Sequence, residues 1–142
     1  MFRELPHVVG IKEATGNLAQ ISEVAELCGD EFILLSGDDF TALPTFSVGG
    51  KGVISVTSNV LPAKVAAMCA AWERGDTAEA RRLHIELVPV NRAMFLESNP
   101  IPAKTALHLM GRMGGEFRLP LCPMGEQNLT RLKEVMSADG LL

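Results

Sequence analysis

Lys12 is the residue of this sequence best placed for covalent chemistry. It directly follows the apolar, β-branched segment of residues 7–11, which is predicted to form a strand. In a parallel α/β barrel the carboxyl ends of the strands surround the active site. A lysine at such a point is a candidate amine nucleophile, which would form a Schiff base with a carbonyl substrate and activate it for carbon–carbon bond chemistry.

This chemistry requires an uncharged amine. A free lysine titrates near pH 10.4, so only about 0.1% of it is neutral at pH 7.4. Lowering the pKa by about 3 requires about 4 kcal/mol of destabilisation of the ammonium, which we expect burial in an apolar barrel mouth to supply. Residue type and position alone favour a simpler interpretation, because a lysine at a strand end is usually a surface residue whose stem covers apolar neighbours.

The elements that must position Lys12 follow a strand-then-helix pattern. Two further apolar segments, residues 32–36 and 52–56, resemble strands covered on both faces in a parallel sheet. A helix over residues 18–28 is predicted between the first two strands, capped by Asn17 and ended by Gly29. A shorter helix, disturbed by Pro44, is predicted over residues 39–47. This rhythm is typical of βα repeats with short loops.

The second half of the sequence is predicted to be helical. One helix is predicted to begin at Pro62 and to end before Gly75. A longer one follows Asp76, and Pro89 is expected to kink it. Two more are predicted over residues 100–113 and 125–137. We therefore divide the chain into an α/β part, residues 1–75, and an all-α C-terminal domain, residues 76–142.

Composition excludes several classes of function. Thirteen basic and 17 acidic residues give a net charge of −4, which argues against nucleic acid as a partner. No apolar run approaches the roughly 20 residues of a membrane helix, and no signal peptide is recognisable. Cys28, Cys69 and Cys122 lack disulfide or zinc-site spacing, and Asp38-Asp39 has no histidine nearby, so we expect a cytoplasmic protein without a metal.

Five segments together resemble one family. The segment Gly10 to Leu18, which contains Lys12-Glu13-Ala14-Thr15-Gly16-Asn17, resembles the Schiff-base lysine motif of the dihydrodipicolinate synthase family. The members of this family are pyruvate-dependent class I aldolase-type lyases. Similar segments follow in the family's order and spacing at residues 34–39, 49–60, 99–104 and 118–121. Relatives such as N-acetylneuraminate lyase share the lysine and the fold but are less similar to these strings. The resemblance implies a TIM (β/α)₈ barrel, of which this sequence would be about the last three βα units, followed by the helical domain.

The resemblance also implies roles for three residues. Lys12 would form an imine with pyruvate, while Gly37, after the second strand, and Ile54, in the third, would line the pyruvate pocket through main-chain groups. From the sequence alone Gly37 fits a tight turn equally well, and Ile54 fits the core better. The reaction implied joins pyruvate to aspartate semialdehyde in diaminopimelate and lysine biosynthesis. No metal or organic cofactor is expected, and the family is commonly tetrameric.

The sequence departs from the family's pattern in one respect. Tyrosine is absent, and the family's threonine–tyrosine relay lies in strands before the Schiff-base strand. We therefore expect a truncated half of the enzyme with little activity alone and with exposed strand edges that promote self-association. Two alternatives stay open: a non-catalytic, oligomerising half-barrel fragment, and a sibling pyruvate-dependent aldolase that uses another aldehyde acceptor.

Overall fold

The computed structural model describes residues 4–142, in which three strands and six α-helices follow one another along the chain. The first part alternates strand and helix, and the second part contains helices only. A 3-10 turn, Thr57–Asn59, joins the two parts. The elements are β1 (Gly10–Glu13), α1 (Leu18–Cys28), β2 (Ile33–Ser36), α2 (Ala42–Ser47), β3 (Gly52–Val53), α3 (Pro62–Glu73), α4 (Thr77–Ala93), α5 (Ile101–Leu109) and α6 (Glu126–Ala138).

The strands form one parallel sheet in the order β1-β2-β3, which confirms the predicted parallel arrangement. Two of their predicted positions were wrong. β1 begins at Gly10 rather than at residue 7, because its ladder with β2 begins at the pair Gly10 and Ile33. β3 ends at Val53 rather than at residue 56, because the amides of Val56 and Thr57 bind the Asp39 side chain instead of a neighbouring strand.

The predicted helices are present, but α2 begins at Ala42 rather than at residue 39, and α5 ends at Leu109 rather than at residue 113. Local signals explain the ends that were predicted correctly. Asn17 caps α1 by accepting hydrogen bonds from the amides of Ala19 and Gln20 at 3.0 and 3.3 Å, and Gly29 ends this helix with φ 73°. Pro62 is the first residue of α3. Pro89 lies inside α4, which runs without interruption from Thr77 to Ala93.

Two apolar clusters hold these elements together, and α4 contributes to both. Leu83 and Leu87 of α4 pack with Phe46 of α2 and with Val65 and Met68 of α3. One turn further along α4, a second cluster joins the helices of the C-terminal part, with the fully buried members Val60, Val90, Met94, Leu132 and Met136. Both clusters contain residues from either side of residue 75. The division into two domains at that point stays a prediction.

One face of the sheet is open, contrary to the expectation that the strands are covered on both faces. Leu34 and Ser36 of β2 are buried, whereas the alternate residue Ile33 is 43% exposed and Ile54, just beyond β3, is 47% exposed. Side chains alternate between the faces of a sheet, so α1 and α2 cover one face and no described element covers the other. Among the helices of residues 4–142, none has the length and hydropathy needed to cross a membrane.

Candidate functional site

Lys12 is the third residue of β1 rather than the residue after the strand, which corrects its predicted position. It pairs with Leu35 of β2, and its side chain is exposed on the open face of the sheet. The ammonium makes no hydrogen bond or ion pair with any residue that the structure describes. The burial expected for this amine is therefore not found in residues 4–142, because no described element lies over it.

The register of the sheet places the three predicted site residues on the same face. Lys12 pairs with Leu35, and Leu35 pairs with Gly52. Gly37 and Ile54 each follow one of these partners by two residues, and strand side chains repeat every two residues. Hydrogen bonds continue the ladder to both positions, since the Gly37 amide donates to Glu13 at 2.6 Å and the Ile54 amide donates to Ser36 at 2.8 Å.

The structure brings Lys12 and Gly37 into direct contact. A Cβ atom built on Gly37 would lie 2.7 Å from Cε and 3.0 Å from Cγ of Lys12, and 2.6 Å from Cβ of Ala14. These distances are too short for real contacts. Any larger residue at position 37 would therefore displace the Lys12 side chain, which crosses the end of β2 at this residue. The predicted importance of Gly37 thus has a physical basis beyond the turn itself.

Ile54 lies on the same face but further from the amine. It follows β3, two strands away from Lys12, and strands in a sheet are about 4.8 Å apart, so the separation across the sheet is on the order of 10 Å. The sequence had predicted Ile54 within the third strand. In the structure Ile54 lies one residue beyond the end of β3 instead. Its exposed side chain and that of Lys12 border the open surface at the carboxyl ends of the strands.

The turn after Lys12 is fixed by a chain of side-chain hydrogen bonds. Oε1 of the buried Glu13 accepts from the Thr15 amide at 3.0 Å, from the Thr15 hydroxyl at 2.5 Å and from Nε2 of Gln20 at 3.1 Å. The Thr15 hydroxyl accepts from the Asn17 amide at 3.1 Å, and Asn17 caps α1. Gly16 supplies the positive φ of 71° that the turn needs. The motif that follows Lys12 therefore fixes the turn that connects β1 to α1.

Glu13 was not identified as a site residue from the sequence. Because it alternates with Lys12, its side chain points to the helix-covered face, where it is 2% exposed and its Oε2 atom has no hydrogen-bond partner among residues 4–142. The spacing of Glu13, Thr15 and Asn17 ahead of a helix is a local signal for such a turn, since hydroxyl and amide side chains bind backbone two residues away.

The two adjacent aspartates have separate roles. Oδ1 of Asp38 accepts from the Phe40 amide at 2.8 Å, which is a local turn, whereas Asp39 is buried and binds the segment after β3. Neither caps α2, because Thr41 occupies the cap position without a side-chain bond. Within the described part of the chain no three His, Cys, Asp or Glu residues are grouped in a way that could hold a metal ion.

The family profile described as "Dihydrodipicolinate synthetase family" matches residues 1–139. The chain is 64% identical over 140 residues to the 4-hydroxy-tetrahydrodipicolinate synthase of Nitratidesulfovibrio vulgaris strain DP4, covering 99% of this chain and 48% of that protein. The chain spans about half the length of the curated relatives it matches.

Solved structures agree with the sequence relatives. The dihydrodipicolinate synthase of Aquifex aeolicus superimposes with a TM-score of 0.94 at 42% identity, covering 98% of this chain and 47% of that one. The chloride-inhibited dihydrodipicolinate synthase of Acinetobacter baumannii, solved in complex with pyruvate, gives a TM-score of 0.93 at 36% identity, covering 98% and 48%. On the match along nearly its whole length, the chain belongs to the dihydrodipicolinate synthetase family.

Proposed function

We propose that this chain carries the Schiff-base lysine of a lyase that condenses pyruvate with aspartate semialdehyde. The observation behind the proposal is the contact between Lys12 and Gly37 at the carboxyl edge of a parallel sheet, where the missing Cβ of Gly37 makes room for the lysine stem on the open face. A family member with this fold has been solved with pyruvate bound, which supports a keto acid as the substrate.

The chemistry assigns one covalent role to Lys12. Its neutral Nζ attacks the keto carbon of pyruvate, and uptake of one proton from solvent with loss of one water leaves a protonated imine. Loss of a methyl proton then gives an enamine, whose carbon attacks the aldehyde carbon of the semialdehyde. The amine of the condensed product displaces Nζ from the imine carbon, which closes the product ring and restores the lysine.

The hydrogen bonds of the sheet limit which main-chain groups of Gly37 and Ile54 are available to a ligand. Both amide groups already donate to the sheet, so each residue offers only its carbonyl oxygen. A carbonyl accepts from an ammonium or an iminium N–H and cannot donate to a carboxylate. We therefore assign the two carbonyls to the nitrogen of Lys12 and its imine, while the pyruvate carboxylate requires N–H or O–H donors from other residues.

The proposal includes the architecture of the whole enzyme. Residues 1–75 would form about the last three βα units of a (β/α)₈ barrel and residues 76–142 its helical domain, since the chain matches about half of each relative. The other strands would cover the open face and desolvate Lys12. Tetrameric assembly and a cytoplasmic location belong to the same proposal, and no metal or organic cofactor enters it.

A condensation assay tests the proposal. With pyruvate and aspartate semialdehyde, we expect the 142-residue chain to turn over at a rate several orders of magnitude below a full-length relative, because general acid–base groups contribute about 10²–10⁴-fold and no tyrosine is present to relay protons. Near-normal turnover would refute this expectation. A full-length relative that prefers another aldehyde would favour the sibling aldolase, and self-association without any pyruvate adduct would favour the non-catalytic fragment.

A further inference from the structure

Asp39 links the two loops that border the proposed pyruvate pocket. It lies two residues after Gly37 and is 5% exposed. Its Oδ2 atom accepts from the Val56 amide at 2.9 Å and from the Thr57 amide at 3.2 Å, and its Oδ1 atom accepts from the Ser55 hydroxyl. All three donors come from the segment that directly follows Ile54.

These hydrogen bonds are long-range and continue beyond the loop. The donors are 16 to 18 residues away from Asp39 in the sequence. The Ser55 hydroxyl also accepts from the Ser58 amide at 2.8 Å, and the Thr57 hydroxyl donates to Oδ1 of the buried Asn91 in α4 at 2.7 Å. The segment after β3 is thus held between the Asp39 carboxylate on one side and α4 on the other.

The adjacent Asp38 shows what an aspartate in this turn does without such a link. Among the described residues its carboxylate accepts only from the Phe40 amide, two residues away, and it makes no hydrogen bond to the segment after β3. The turn after β2 therefore needs one aspartate for its own shape. The buried second carboxylate serves the neighbouring loop, and charge-assisted bonds of this kind are among the stronger ones in proteins.

We propose that Asp39 is a positioning residue, whose carboxylate sets the separation between Gly37 and Ile54 and thereby the site that receives pyruvate beside Lys12. This inference rests on the proposed function. Asp39 does not contact the amine in the structure. It acts through the backbone of residues 55–57, which fixes where the Ile54 carbonyl lies relative to that of Gly37.

The inference predicts a specific pattern in three variants. In Asp39→Ala the three donors lose their acceptor, and we expect the pyruvate concentration that half-saturates imine formation to rise about tenfold, because small displacements of positioning groups have effects of this order. Asp39→Asn retains one acceptor oxygen, so its half-saturating pyruvate concentration should lie between those of the unsubstituted protein and of Asp39→Ala. Asp38→Ala is the matched control: it removes only the local bond to the Phe40 amide, so we expect a smaller rise in the half-saturating pyruvate concentration than in Asp39→Ala.

Two readouts on the intact protein separate positioning from stability. Amide hydrogen exchange, which needs no substrate, should accelerate at Val56 and Thr57 in Asp39→Ala and stay unchanged there in Asp38→Ala. When the pyruvate imine is trapped with borohydride, Asp39→Ala should need more pyruvate for half-maximal labelling but reach the same maximal labelling as the unsubstituted protein. Three results for Asp39→Ala would each overturn the inference. These are uniformly faster exchange along the whole chain, exchange at Val56 and Thr57 equal to that in Asp38→Ala, and an unchanged half-saturating pyruvate concentration.

The same experiment distinguishes failure of the proposed function from failure of this inference. If the unsubstituted protein gives no pyruvate adduct, the assignment of Lys12 fails. The exchange rates of Val56 and Thr57 still decide whether Asp39 holds the loop after β3, and equal rates in the two alanine variants would refute that link.

Discussion

The side chain of Lys12 lies against Gly37, so the position of its amine depends on a neighbour that lacks a Cβ atom. The contact joins two adjacent strands and cannot be inferred from either segment alone. The resemblance of the motifs identified both residues. Their physical connection becomes visible only when the register pairs Lys12 with Leu35 and places Gly37 two residues further on the same face.

Substituting Gly37 with alanine tests this contact. The new Cβ would lie 2.6 Å from that of Ala14 and 2.7 Å from Cε of Lys12, so the lysine stem must move away from the end of β2. We expect imine formation with pyruvate to slow by about tenfold or more, since displacement of a reacting group has effects of this order. The rate of borohydride-dependent labelling of Lys12, followed by mass spectrometry, measures the effect.

Gly52→Ala is the matched control for the Gly37 variant. Gly52 lies on the same face, and its new Cβ would meet Cδ2 of Leu35 at 3.4 Å, which is an ordinary contact. This variant should be labelled at nearly the rate of the unsubstituted chain. Equal labelling rates in the Gly37 and Gly52 variants would contradict the role assigned to Gly37.

At the scale of elements, α4 connects the part of the chain around the sheet to the helical part. Its residues Leu83 and Leu87 pack against α2 and α3, while Val90 and Ala93 belong to the second cluster. His84 lies on the same helix, beside a groove lined also by Trp72 and Arg81. Burial lowers the pKa of His84 below its ordinary value of 6.5, because the charged imidazolium loses hydration there.

This shift predicts how stability depends on pH. An unfolded chain protonates His84 near pH 6.5, whereas the folded chain takes up that proton only at lower pH. The unfolded state therefore binds more protons in that window, and the free energy of unfolding falls as the pH drops from about 7.5 to about 5.5. In His84→Gln we expect a shallower fall, measured by urea unfolding at several pH values.

The exposed His7 provides the control for this prediction. His7→Gln also removes one imidazole, from an exposed position outside the helices and strands, and is measured in parallel as the matched control. If His84→Gln and the unsubstituted chain lose the same stability between the two pH values, the burial of His84 does not destabilise its charged form.

The helices could be predicted from the sequence better than the strands. Asn17, Gly29 and Pro62 act within one or two residues of the helix ends, so the signals are local and the ends of α1 and the start of α3 were correct. A strand ends where its partner ends, which no local signal records, and both β1 and β3 were misplaced for that reason. Asp39 was missed similarly, because its donors are distant in sequence and become neighbours only in the fold.

At the scale of the molecule, the sheet determines how the chain behaves in solution. The strands β1 and β3 are the two edges of the three-stranded sheet formed by residues 4–142, and one face exposes Ile33 and Ile54. Unpaired strand edges and contiguous apolar surface promote association with other chains. In the proposed enzyme, the remaining strands of the barrel would occupy this surface.

We therefore expect the 142-residue chain to self-associate. Light scattering at increasing concentration should give masses above that of a monomer, and Ile33→Lys should reduce the association by placing a charge on the open face. Leu119→Lys is the control, because Leu119 is 92% exposed but lies in the loop between α5 and α6. A clean monomer at all concentrations would contradict the view that this face requires a partner.

Identifying the residue to which pyruvate attaches tests most directly whether Lys12 forms the imine. The protein is incubated with pyruvate and borohydride, digested, and its peptides are examined by mass spectrometry, with Lys12→Ala and Lys51→Ala measured in parallel. We expect one reduced pyruvate on Lys12, its loss in Lys12→Ala and its retention in Lys51→Ala. A full-length relative carrying the same lysine sets the maximal labelling. An unmodified Lys12 in both proteins, or equal labelling of Lys51, would show that Lys12 is not the Schiff-base lysine.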